Sequence, residues 1–118
     1  DKEFQRKQIV QILESEGYEV VASAGDGKEA LQLYDRYARD LDIITTDLDM
    51  PTLDGYALLY EIVQKKPRAR IVFISDETTK TVLADLLQMG AADFILKPIQ
   101  RGRILERIKM VLNKPQQA

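Results

Sequence analysis

The chain has 118 residues, a net charge of -2 and 45% hydrophobic residues, which suits one globular domain with a core of its own. It contains neither cysteine nor histidine, which excludes disulfides, thiolate or imidazole metal sites, cysteine nucleophiles and Ser-His catalysis. The slightly acidic balance argues against a nucleic-acid surface, and no apolar run approaches the roughly 20 residues of a membrane span. The amino-terminal residues lack the pattern of a signal peptide, so we expect a cytoplasmic protein.

Helix and strand patterns alternate along the chain. Apolar spacing predicts a first helix over residues 3–16, which ends before Gly17, and a strand over 18–23. The apolar residues of that helix are Phe4, Ile9, Ile12 and Leu13. The later predicted elements are a helix that is capped by Asp26 and runs to about residue 39, a strand at 43–46, a helix at 55–66, a strand at 70–75, a helix at 78–89, a strand at 92–96 and a helix at 99–112. This order indicates right-handed βαβ units around a parallel sheet.

Polar residues stand where three of these predicted strands end. Asp47 follows the strand at 43–46, Ser75 ends the strand at 70–75, and Lys97 follows the strand at 92–96. Because parallel strands point the same way, their carboxyl ends meet at one edge of the sheet. Each residue alone is more commonly a turn, cap or solvated residue. Together they predict a phosphoryl site, in which the carboxylate forms an acyl phosphate and the lysine and Mg²⁺ hold the phosphoryl oxygens.

The ordered set of segments resembles the receiver domains of bacterial response regulators, of the stand-alone CheY type. The segments that carry the resemblance are Asp47 with Met50-Pro51 and Asp54-Gly55, then Ser75, and then Ala-Ala-Asp-Phe-Ile-Leu-Lys-Pro at 91–98. The resemblance implies a flavodoxin-like, doubly wound parallel sheet of five strands in the order 2-1-3-4-5, flanked by five helices. It covers nearly the whole chain, so residues 1–118 are expected to form one receiver domain.

The resemblance also implies roles for single residues. Asp47 would be the phosphoacceptor, and Lys97 would pair with the phosphoryl group, with a cis bond to Pro98. Ser75 would swing toward the phosphoryl oxygens, and Phe94 would be the aromatic switch that moves inward on phosphorylation. Such a protein would be a signalling phosphoacceptor with self-catalysed phosphotransfer and dephosphorylation, and not an enzyme in the usual sense.

Mg²⁺ is the cofactor that the resemblance implies. The family begins with an apolar strand that ends in two acidic residues, which bind the metal. Here the sequence starts at Asp1, which aligns with the second acid, so we expect upstream residues or another chain to supply the first strand. The implied ligands are Asp1, Asp47 and the backbone carbonyl of Asp49. Asp49 and Glu77 also stand at positions expected to tune the lifetime of the acyl phosphate.

The implied partners are proteins. A sensor histidine kinase or a phosphotransfer protein would donate the phosphoryl group. A downstream target would bind the face formed by the helix at 78–89, the strand at 92–96 and the helix at 99–112. No direct contact with nucleic acid or membrane is expected. A homodimer that forms on phosphorylation is a further possible assembly.

Two other functions compete with the receiver hypothesis. Asp47-Leu48-Asp49 also resembles the haloacid dehalogenase phosphatases, with Asp47 as nucleophile and Asp49 as acid and base. That family needs an acidic pair after its lysine and usually a longer chain, whereas only Glu106 follows Lys97 here. The second alternative is a receiver fold that serves only as a binding module and is never phosphorylated; the absent first acid would favour it.

Overall fold

The computed structural model describes residues 2–20, 27–37, 41–47, 55–65, 69–75 and 80–113. The helices, in chain order, are α1 (Lys2–Ser15), α2 (Gly27–Tyr37), α3 (Gly55–Lys65), α4 (Lys80–Met89) and α5 (Arg101–Asn113). The strands are β1 (Ile44–Asp47), β2 (Ile71–Ser75) and β3 (Asp93–Leu96). They form one parallel sheet in the order β1-β2-β3. The predicted α/β class, with five helices around a parallel sheet, is therefore confirmed.

These strands correspond to the last three of the predicted order 2-1-3-4-5. The predicted strand at 18–23 is not formed at 18–20, which have no regular structure, and 21–23 lie outside the described residues. Within the described residues, several element ends differ by one or two residues from the predicted ones, and the ends at Ser75, Met89 and Leu96 match them. One of these shifts bears on the site: β1 extends through Asp47, which is the last residue of the strand and does not follow it.

The central strand β2 is apolar on both faces and buried along its whole length. Side chains alternate across a strand, so β2 supplies two cores. Ile71 and Phe73 pack on one side of the sheet, and Val72 and Ile74 pack on the other. The first core also contains Tyr34, Leu58, Leu59, Ile62, Leu86 and Ala91, from α2, α3, α4 and the turn after α4. The second contains Ile9, Ile95, Ile104, Ile108 and Val111, from α1, β3 and α5.

The prediction that Phe4 belongs to the apolar face of α1 is wrong. Phe4 is 69% exposed, whereas Ile9 is buried and Ile12 and Leu13 pack beside it. An α-helix turns by about 100° per residue, so five positions place Phe4 roughly 140° away from Ile9 around the axis. Its apolar character therefore gave no information about the face on which it lies.

Glycines end α1 and α4, as the sequence predicts. Gly17 and Gly90 adopt φ of +86° and +118°, values that favour glycine over other residues. At Gly90 a Cβ atom would also lie 3.2 Å from Cγ2 of Val63. The backbone N–H of Ala91 then donates to the carbonyl oxygen of Leu86, which closes the end of α4 just before β3 begins.

Tyr34 carries an unusual polar group into the first core. Its side chain is 5% exposed, and its hydroxyl has no hydrogen-bond partner among the described residues. Burial raises the pKa of this hydroxyl above its ordinary value of 10.0, an effect that the nearby Lys65 charge opposes. The folded protein therefore keeps this proton at a pH where the unfolded chain releases it.

Replacing Phe73 by alanine tests the central role of β2. Phe73 is fully buried, so Phe73→Ala should lower the free energy of unfolding by about 3–5 kcal/mol. The matched control is Phe4→Ala on the exposed residue, which should change it by less than about 0.5 kcal/mol. Urea denaturation followed by circular dichroism measures both. Equal losses in the two variants would contradict the described core.

Replacing Tyr34 by phenylalanine tests whether its buried hydroxyl lacks a partner. At pH 7, Tyr34→Phe should leave the free energy of unfolding unchanged or slightly higher, because it removes a buried group that has no hydrogen-bond partner among the described residues. As the pH rises above about 10, wild-type stability should fall, because only the unfolded chain releases the phenolic proton. The variant should lack this part of the fall in urea denaturation. A loss above about 1 kcal/mol at pH 7 would show that the hydroxyl has a partner. Tyr60→Phe, at an exposed tyrosine, is the control at pH 7 and should leave the free energy of unfolding unchanged.

Candidate functional site

The sheet register places three polar residues in a row at the carboxyl edge. Asp47 pairs with Ile74, the residue before Ser75, and Ser75 in turn pairs with Leu96, the residue before Lys97. The backbone N–H of Lys97 donates to the carbonyl oxygen of Ser75 at 2.8 Å. This bond extends the β2–β3 pairing by one residue, so it fixes the base of the lysine side chain at the edge.

An ion pair joins the first and last of these residues. Nζ of Lys97 donates to Oδ2 of Asp47 at 2.9 Å, and the two side chains are 24% and 15% exposed. Because both side chains are mostly covered, the pair is screened less than a fully exposed ion pair, and it forms a charge-assisted hydrogen bond. The predicted cis peptide bond between Lys97 and Pro98 is present. The structure thus brings a carboxylate and an ammonium into contact across 50 positions of sequence.

A residue that the sequence analysis did not single out also contacts the carboxylate. Nε2 of Gln5, on α1, donates to Oδ2 of Asp47 at 3.1 Å. A glutamine in a helix has no chemical signature that separates it from a solvated side chain. The one available signal was position, since Gln5 lies four residues after Asp1, which the resemblance places at the metal site.

Ser75 and Phe94 occupy different depths around the edge. Ser75 is 3% exposed, so its hydroxyl is covered by the fold. Phe94 is half-buried, pairs in register with Phe73 and packs against the first core. It lies three residues before Lys97 on β3, so a shift of this strand would move both residues together.

A second ion pair fixes β3 to α5. Asp93 is buried; its Oδ2 lies 3.3 Å from Nη1 of Arg107, and its Oδ1 accepts from the backbone N–H of Phe94 at 2.8 Å. The sequence analysis assigned neither residue of this pair, because the two charges are 14 positions apart and on different elements. The pair anchors the strand that carries Phe94 and leads into Lys97.

Several predicted site residues lie outside the described residues, namely Asp1, Asp49 and Glu77. Among the residues that the structure describes, no group of three or more acidic side chains is placed to hold a metal ion. Asp47 is the described carboxylate at the edge. Mg²⁺ at phosphate sites takes one or two carboxylates, substrate phosphate oxygens and several waters, so this donor is compatible with Mg²⁺.

The geometry defines a class of protein: a parallel α/β fold with an aspartate and a lysine in contact, both mostly covered, at its carboxyl edge. The chain matches the response regulator receiver domain over residues 1–109, and it belongs to this family. It is 42% identical to the chemotaxis protein CheY of Bacillus subtilis over 113 residues, 96% of this chain and 92% of the relative. Identity to CheY of Treponema pallidum is 39%, over 95% of this chain and 78% of the relative.

Solved structures agree with this assignment. CheY in a CheX-CheY-BeF3-Mg complex from Borrelia burgdorferi superposes with a TM-score of 0.91 and is 37% identical, over 94% of this chain and 83% of that chain. The fold is thus the flavodoxin-like fold of receiver domains. The protein is a CheY-like receiver of two-component signalling, a signalling protein and not a classical enzyme. In the described part of the chain, no helix has the length and apolarity needed to cross a bilayer.

Proposed function

We propose that Asp47 accepts a phosphoryl group from a sensor histidine kinase or a phosphotransfer protein. The observation that carries this proposal is the contact between Asp47 and Lys97 at 2.9 Å, at the edge where parallel α/β sheets bind ligands. The carboxylate is 15% exposed, so a donor can reach it, while the surrounding fold keeps its orientation. The family to which the chain belongs supports the same role.

The chemistry needs few protein groups. One carboxylate oxygen of Asp47 attacks phosphorus, and the donor leaves with the electron pair of its own bond to phosphorus. The product is an acyl phosphate. The ammonium of Lys97 then holds an equatorial phosphoryl oxygen, and the hydroxyl of Ser75 donates to another. Positioning and charge compensation therefore supply most of the catalysis.

We assign Mg²⁺ to the same edge, with Asp1, Asp47 and the backbone carbonyl of Asp49 as its ligands. When bound, it neutralises the charge of the phosphoryl oxygens. The Borrelia CheY complex contains Mg²⁺ and the beryllofluoride group, which supports this assignment. We propose that the carboxylates of Asp49, two residues after Asp47, and of Glu77, two residues after Ser75, set the lifetime of the acyl phosphate.

The output surface in this proposal is formed by α4, β3 and α5. Leu87 of α4 and Met110 of α5 are 44% and 43% exposed, so both helices offer apolar surface to a partner. Phe94 lies on β3, which stands between α4 and α5 in the sequence, and its side chain is half-buried. Its movement toward the core would signal phosphorylation. A protein target is supported by the Borrelia relative, whose CheY was crystallised with CheX. A second phosphorylated copy is the other partner that this surface would accept.

Intact mass spectrometry tests the phosphoacceptor. After incubation with acetyl phosphate and Mg²⁺, the wild-type protein should gain one phosphoryl group, and Asp47→Asn should gain none. Asp42→Asn is the matched control, because Asp42 is exposed five residues earlier, and it should gain one group as the wild type does.

Other outcomes would replace the proposal. Rapid turnover of a generic phosphomonoester without an accumulating adduct would favour the phosphatase that uses Asp47 and Asp49. A wild-type protein that gains no phosphoryl group under these conditions would favour the non-phosphorylated binding module.

Removing the charge of Lys97 tests its role in the transfer. Lys97→Met keeps much of the side-chain volume but removes the ammonium, so phosphorylation by acetyl phosphate should slow about 100-fold. Lys65→Met is the control, because Lys65 forms an exposed ion pair with Asp35 at 2.6 Å. The rate of adduct formation, followed by intact mass, measures both. Equal rates in Lys97→Met and the wild type would show that the lysine has no part in the reaction.

A further inference from the structure

Two side chains from different elements donate to the same carboxylate oxygen. Lys97 Nζ lies 2.9 Å and Gln5 Nε2 lies 3.1 Å from Oδ2 of Asp47. The lysine comes from the end of β3, and the glutamine comes from α1 on the amino-terminal side. The contact between Gln5 and Asp47 spans 42 positions of sequence, so it depends on how α1 packs against the sheet.

The packing of α1 fixes where Gln5 lies. Gln5 precedes Ile9 by four residues, so the two lie one above the other on the same face of the helix. Ile9 is 8% exposed and packs in the second core with β2, β3 and α5. At 1.5 Å of rise per residue, Gln5 lies about 6 Å beyond Ile9 along the axis. The core face of α1 thus ends in a polar side chain at the carboxyl edge of the sheet.

The far end of α1 is also held. Nη2 of Arg101, on α5, donates to Oγ of Ser15 at 3.0 Å and to Oε1 of Glu16 at 2.6 Å. These bonds and the packing of Ile9 join α1 to α5 at two places along the helix. Gln5 therefore contacts Asp47 from a helix whose middle and carboxyl end both contact the rest of the fold.

The side-chain amide of Gln5 is neutral, which suits its contact with Asp47, because the proposed nucleophile must keep its negative charge. Lys97 already supplies one positive charge to Asp47, and a second cation would compete with Mg²⁺ for the carboxylate. The amide of Gln5 supplies a directional N–H donor without adding charge. Two donors in fixed positions on one oxygen restrict rotation of the carboxylate, and such preorientation lowers the barrier of a transfer reaction.

We infer that Gln5 is a positioning residue for the phosphorylation of Asp47. It holds the carboxylate in the orientation from which phosphorus is attacked. Lys97, which follows β3, acts on the same carboxylate oxygen. The inference rests on the proposed function of Asp47 and adds to it a residue on α1.

Phosphorylation kinetics test this inference. The full chain is incubated with increasing acetyl phosphate at fixed Mg²⁺, and the rate of adduct formation is followed by intact mass. Gln5→Leu should lower the maximal rate about 3- to 10-fold, because it removes the hydrogen bond from Gln5 that orients the Asp47 carboxylate, and leave the half-saturating donor concentration unchanged. Gln5→Glu keeps the length but replaces the donor by a like charge, and should lower the rate further. Gln11→Leu, an exposed glutamine of the same helix, should match the wild type.

A second measurement reports on the contact without any turnover. In ¹⁵N NMR spectra of the unphosphorylated protein, the side-chain amide resonances of Gln5 should shift between wild type and Asp47→Ala, while those of Gln11 stay in place. This readout does not depend on how well a Gln5 variant folds. A purely structural role of Gln5 would lower the melting temperature of Gln5→Leu and leave the maximal rate of the folded fraction unchanged.

The outcomes separate this inference from the proposed function. If the wild type and Gln11→Leu gain the phosphoryl group and Gln5→Leu gains it equally fast, Gln5 has no positioning role, although Asp47 remains the acceptor. Unshifted Gln5 resonances in Asp47→Ala would overturn the contact itself. If the wild type gains no phosphoryl group, the proposed function fails, and the inference fails with it.

Discussion

The parallel pairing of β2 with a strand on each side is the constraint on which the site depends. Because β2 is buried on both faces, it is covered by helices on both sides and cannot shift by one residue without exchanging its two apolar faces. The pairs Asp47–Ile74 and Ser75–Leu96 therefore fix the order of polar groups along the edge. The carboxylate of β1 and the lysine after β3 meet because both neighbours are held to one central strand.

The contact between Asp47 and Lys97 balances stability against reactivity. A partly covered carboxylate is stabilised by an ammonium at 2.9 Å, yet in the proposed function the same ammonium withdraws charge from the oxygen that attacks phosphorus. In the proposed positioning role, the neutral amide of Gln5 orients the carboxylate without adding a second positive charge. The proposed acceptor needs both properties, because it must stay in one orientation and react only when a phosphodonor and Mg²⁺ are bound.

The sequence predicted the parts of this arrangement that follow from strand patterns. A continuous apolar run marks a strand buried on both faces, as at Ile71–Ser75, and the polar residue that ends each strand must then lie at the common edge. The sequence did not predict contacts that depend on how a helix is rotated. Gln5 reaches the site and Phe4 points away from the core because of the packing of α1, and neither residue type indicates this. The predicted metal ligands Asp1 and Asp49, and the predicted tuning residue Glu77, lie outside the described residues.

Locating the acyl phosphate by chemical trapping tests the central claim most directly. The protein is phosphorylated with acetyl phosphate and Mg²⁺ and reduced with borohydride, which converts a phosphorylated aspartate to homoserine, and its peptides are then sequenced by tandem mass spectrometry. The tryptic peptide that contains Asp47 runs from residue 40 to residue 65 and also contains Asp40, Asp42, Asp49 and Asp54, so the fragment ions distinguish five candidate acceptors. Homoserine is expected at position 47 alone. Homoserine at 40, 42, 49 or 54, with position 47 still aspartate, would contradict the proposed role of Asp47.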